Sequence, residues 1–149
     1  MTANKKLPVE TPREWYRFAD ENREVAEREL KHEQSACHTV CFLCQSAAEK
    51  YLKGYLIAHG WTLEKTHDIS RLLELCAEYD RTFTDVLADG ETLNEYMTEG
   101  RYPGDLAFET IGREDAEEAL HIVRRIRTLT AERATMPTEK TVQKKSVNQ

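Results

Sequence analysis

The chain has 149 residues and a formal net charge of −6. That length fits one domain able to bury a core without staples. The acidic balance argues against broad electrostatic binding to nucleic acid, and no DNA partner is expected. No stretch approaches a membrane span, and the first ten residues, MTANKKLPVE, lack the apolar core of a signal peptide. The expectation is a cytoplasmic protein without membrane contact, whose Cys37, Cys41, Cys44 and Cys76 are thiols rather than disulfides.

Residues 1–10 read as a flexible leader, 11–134 as a helical domain and 135–149 as a disordered polar tail. Thr11-Pro12-Arg13-Glu14 is a helix start: Thr11 as N-cap, Pro12 at the first helical position, Glu14 closing a capping box. Trp15, Phe18, Ala19, Val25, Ala26 and Leu30 then recur at helical spacing, and this helix should end near Glu33–Ala36. A second helix runs from Cys37 to Gly60, which stands as a C′ glycine. It is apolar almost all round, which places it in the middle of a bundle. After a short connection, Thr66 or Asp68 caps a third helix carrying Ile69, Leu72 and Leu73, which fades around Asp80-Arg81.

Val86 to Met97 is weakly helical, interrupted at Asp89-Gly90, with Leu93, Tyr96 and Met97 turned inward. Gly100-Arg101-Tyr102-Pro103-Gly104 breaks the helix. The last helix spans about Arg113 to Arg133, acidic in its first turns and basic in its last, as the helix dipole favours. No strand-like alternation occurs. The fold class expected is all-α: an up-and-down bundle of four main helices with a short extra helix.

The polar residues of the central helix are few and ordered. Gln45, Glu49 and Lys53 recur at i, i+4 and i+8, forming one stripe with Lys50 beside it. Charges on such a helix must face water, a partner or a pocket. The spacing Cys37-x3-Cys41-x2-Cys44 matches an iron–sulfur pattern on paper. The same spacing is one helical face, where cysteine packs as a small apolar residue, so no metal and no cofactor is expected. His67-Asp68 reads as a helix start, with a proton-transfer or metal pair as the alternative. Arg101-Tyr102 could offer donors to an anion, or could merely end a helix.

Taken together, Gln45-x3-Glu49-Lys50-x2-Lys53, then Lys65-Thr66-His67-Asp68-Ile69 with Leu72-Leu73, then Tyr96 and Gly100-Arg101-Tyr102-Pro103 resemble the HEPN domain family over about residues 13–133. The resemblance implies a helical bundle, usually a homodimer, whose second helix contributes to a cleft. It also implies a possible partner nucleotidyltransferase, since prokaryotic members are often encoded with a minimal one as a toxin–antitoxin pair. Active members are metal-independent ribonucleases that use an arginine, four to six intervening residues and a histidine. The arginine stabilises phosphorane charge and the histidine moves the 2′-hydroxyl proton.

This sequence departs from that pattern: Arg28-x3-His32 is too short and Arg113-x7-His121 too long, and no other arginine comes closer to the spacing. The reading that follows is a non-catalytic, homodimeric module that binds a nucleotide, an RNA end or a partner nucleotidyltransferase. Its candidate ligand-binding residues are Gln45, Glu49, Lys50, Lys53, His67, Asp68, Arg101 and Tyr102. One alternative is a ribonuclease with a rearranged site, for which His67 and Arg101 are the catalytic candidates. The other is a purely structural dimerisation module.

Overall fold

A computed structural model describes residues 11–98 and 110–147, with side chains described over 11–97 and 110–131. The first helix, α1 (Pro12–Leu30), starts at the expected cap: the Glu14 amide donates to Thr11 Oγ1 at 3.2 Å, and Pro12 needs no hydrogen-bond partner for its nitrogen. It ends at Leu30, the last residue of its apolar repeat and short of the expected Glu33–Ala36, and its last carbonyls find other donors. The Arg113 guanidinium donates to Leu30 O at 2.9 Å and to His32 O at 2.6 Å, satisfying acceptors that a longer helix would have used.

The central helix, α2 (Cys37–Ala58), closes through Gly60, whose φ of +89° costs a glycine little. The Gly60 amide donates to Ile57 O and the Trp61 amide to Leu56 O, each at 3.0 Å. That pair of bonds is a Schellman motif, and it turns the chain back along α2. The short helix α3 (Ile69–Ala77) follows, then a 3-10 helix (Arg81–Val86), α4 (Leu87–Thr98) and α5 (Arg113–Val147). Apolar periodicity places the end of α5 near Arg133; its backbone is helical as far as Val147.

No strand occurs among the described residues, and the architecture is the expected all-α bundle. α2 lies between α1 and α5 and also touches α3 and α4. Its Tyr51, Leu52, Tyr55 and Leu56 are almost wholly buried, each large apolar side chain stabilising by about 1.5–3 kcal/mol. Two glycines allow helices to approach closely. A Cβ on Gly54 would lie 2.6 Å from a ring carbon of Tyr16, so α1 crosses α2 there.

Gly90 plays the same part between α3 and α4, where a Cβ would meet Leu73 Cδ1 at 2.6 Å. The interruption expected at Asp89-Gly90 is therefore absent: α4 runs through Gly90 without a break. Packing against α3 outweighs the roughly 1 kcal/mol that glycine costs inside a helix. Leu93 and Tyr96 are buried on that helix, as their spacing predicts. Among the described residues no helix is long and apolar enough to cross a membrane.

Candidate functional site

The polar stripe of α2 faces the connection between α2 and α3 on one side and α1 on the other. The turn at Gly60 sends residues 61–68 back along α2, bringing His67 level with the middle of that helix. Gln45, buried among apolar neighbours, donates from Nε2 to the His67 carbonyl at 3.2 Å. This fixes the backbone of the returning loop. One turn further on, Glu49 reaches the same residue through its side chain, with His67 Nδ1 3.0 Å from Glu49 Oε1.

A carboxylate only accepts, so Nδ1 carries the proton in this contact. Nε2 is left without a protein partner among the described residues, on a side chain that is 61% exposed. The other Glu49 oxygen accepts from Lys53 Nζ at 2.8 Å. The Lys53 side chain is only 5% exposed, and its ammonium lies 5.8 Å from the centre of the Trp15 ring. A buried ammonium requires such compensation. Glu49 is thus the hinge of a chain: buried lysine, carboxylate, exposed imidazole.

Lys50 turns towards α1 instead. Its Nζ donates to Ser46 Oγ at 2.6 Å, and the Ser46 hydroxyl donates to Asn22 Oδ1 at 3.0 Å. Burial lowers the Lys50 pKa; Glu49 works against that shift and Lys53 with it. Lys50 makes no ion pair among the described residues.

Asp68 is the N-cap of α3, accepting from the Arg71 amide at 3.2 Å, and it also accepts from Asn94 Nδ2 at 2.9 Å. Asn94 Oδ1 in turn accepts from the Ile69 amide at 2.7 Å. The plainer reading of His67-Asp68 thus describes Asp68, while His67 belongs to the Glu49 network. Arg101 and Tyr102 lie outside the described residues.

The cysteines pack. Cys41, Cys44 and Cys76 are wholly buried and free, and burial raises all three thiols, Cys41 to about 12. No group of three or more metal-ligating side chains occurs among the described residues.

Sequence reasoning missed Ser46, Asn22, Asn94 and Trp15. Ser46 stands four residues before Lys50, a spacing visible in the sequence. Asn22, Asn94 and Trp15 reach the site from other helices, and no local pattern marks them. A separate open cleft of about 410 Å³ runs between α1 and α5, lined by Glu27, Lys31, Arg113, Glu117 and Arg124 among others. Its arginines are already engaged, Arg113 with the end of α1 and Arg124 Nε with Glu27 at 3.0 Å.

The family model for the HEPN domain matches residues 12–134. The crystal structure of an archaeal HEPN homologue is similar with a TM-score of 0.70 and 24% sequence identity, over 85% of this chain and 100% of that one. No curated protein matches.

Proposed function

Because the chain belongs to the HEPN domain family, we propose that it is a non-catalytic, homodimeric HEPN module that binds a phosphate-bearing nucleotide or RNA end at His67, which Gln45 and Glu49 of the α2 stripe hold in place. The observation that carries this reading is the Lys53–Glu49–His67 chain. It holds an exposed imidazole in a fixed orientation, with one nitrogen facing no protein group among the described residues. With Nδ1 held by Glu49 and the side chain exposed, Nε2 is the group open to a ligand. The missing arginine–histidine spacing removes the expected catalytic pair.

Calorimetry with nucleoside monophosphates and short 5′-phosphorylated RNAs tests it. His67→Ala should weaken binding about tenfold while leaving the melting temperature in place, since His67 is exposed. Wild-type-like binding in that variant would remove the His67 corner from consideration. Solution mass measurement tests the dimer, and a persistent monomer defeats that part.

A second reading has one observation behind it. An imidazole whose Nδ1 is held by a carboxylate is the arrangement of a general acid or base, so His67 could act in a rearranged ribonuclease site. RNA cleavage in EDTA that is lost in His67→Ala supports it. Purified protein inert towards RNA excludes it.

A further inference from the structure

The Lys50, Ser46 and Asn22 cluster carries an inference that rests on the nucleotide-binding reading and names the atoms that take the phosphate. We infer that Lys50 Nζ and Asn22 Nδ2 form an oxyanion cradle between α1 and α2, suited to a phosphate monoester.

Three observations converge on it. The first is hydrogen-bonding capacity. An ammonium has three donors, and Lys50 uses one of them on Ser46. The Ser46 hydroxyl gives its only proton to Asn22 Oδ1, which fixes the amide with its NH₂ on the other side. Two donors on Lys50 and two on Asn22 remain without protein partners among the described residues. These donors outnumber the single lone pairs left on Ser46 Oγ and Asn22 Oδ1, and such an excess suits an acceptor-rich ligand such as a phosphate.

The second is charge. Glu49, the carboxylate whose charge acts on Lys50, is already shared between Lys53 and His67. Lys50 therefore stands as a half-buried cation without an ion pair of its own among the described residues. An incoming anion supplies the missing counter-charge.

The third is position. Asn22 is held on α1 and Lys50 on α2, and these helices are locked together by the close approach at Gly54. Ser46 stiffens the long lysine side chain, whose ordering otherwise costs up to about 2 kcal/mol. The cradle is preorganised rather than assembled by the ligand.

The lowered Lys50 pKa, set by burial and by Lys53 against Glu49, gives a readout that a structural lysine would not show. A bound phosphate pulls the amine back towards its charged form, so binding at alkaline pH should take up a proton. The experiment is calorimetry of AMP, inorganic phosphate and a 5′-phosphorylated tetraribonucleotide in two buffers of different ionisation enthalpy. It uses the wild type, Lys50→Gln, Asn22→Leu and His67→Ala, each checked for fold by circular dichroism.

The expected result is a loss of affinity of about tenfold in Lys50→Gln and severalfold in Asn22→Leu, with the alkaline proton uptake abolished in Lys50→Gln. The AMP and RNA arms then say whether a free nucleotide or an RNA end is the better source of the phosphate. If the wild type binds a probe, His67→Ala weakens it and Lys50→Gln leaves both affinity and proton uptake unchanged, the cradle is overturned while the binding reading stands. If the wild type binds none of the three probes, both fall together.

Discussion

His67 Nδ1 lies 3.0 Å from Glu49 Oε1, across eighteen residues of sequence. The contact ties the loop after α2 to the middle of that helix and makes one carboxylate serve two cations or donors. Lys53 depends on the same Glu49, and it is the more deeply buried of its partners. Much of the behaviour expected of this protein follows from that dependence.

Glu49→Gln should destabilise the fold by about 3 kcal/mol, because it leaves the buried Lys53 ammonium without its counter-charge. The double variant Glu49→Leu/Lys53→Met should recover most of that loss, since two apolar side chains of similar size need no pairing. Urea unfolding of the two variants and the wild type checks this. A double variant as unstable as Glu49→Gln alone would show that the pair itself, rather than the orphaned charge, carries the effect.

Gly54→Ala should also be destabilising, by about 1–3 kcal/mol, although alanine is the better helix former. The new methyl would lie within 3 Å of two ring carbons of Tyr16 and close to Trp15 Cβ. Tyr16 packs against the core with its hydroxyl buried, so a shift of the ring disturbs neighbouring side chains. Thermal melting is the measurement, and a gain in melting temperature would mean that α1 slides freely over α2.

The three raised thiols should be unreactive in the folded protein. A thiol whose pKa is pushed up holds little thiolate at pH 8, and the thiolate is the nucleophile. Cys41, Cys44 and Cys76 are also wholly covered. Alkylation followed by mass spectrometry should modify Cys37 first, with the other three reacting only in denaturant. Rapid labelling of Cys41 or Cys44 in the native state would mean that α2 is far more open than it is here.

Acid sensitivity should arise in part from Glu27. Burial alone would raise its pKa, but hydrogen bonds from Arg124 and Arg23 outweigh that and hold it below the ordinary 4.5. A depressed carboxylate contributes stability that is fully present above the unfolded pKa and is lost as pH falls through the folded one. The wild type should therefore lose stability below about pH 4.5. Glu27→Gln should be less stable at neutral pH and show a shallower decline on acidification. Parallel decline in the two proteins would assign the acid limb to other carboxylates.

The helices and their order were legible in the sequence by itself, because they rest on local rules. The Thr11 cap, the Gly60 turn, the apolar faces of α2 and α5, and the i, i+4 stripe of Gln45, Glu49 and Lys53 all follow from spacing along one chain. The resemblance to the HEPN family, carried by the same residues, is also confined to what a linear pattern can hold. The continuity of α4 through Gly90 was not legible, since it depends on α3 lying against that glycine. Nor was the pairing of the stripe. Sequence spacing joins Glu49 to Lys53, but only the folded chain adds His67 to that carboxylate, Asn94 to Asp68, and Asn22 to Ser46. Those partners lie eighteen to twenty-six residues apart, and polar groups at such distances meet only after apolar burial has set the helices side by side.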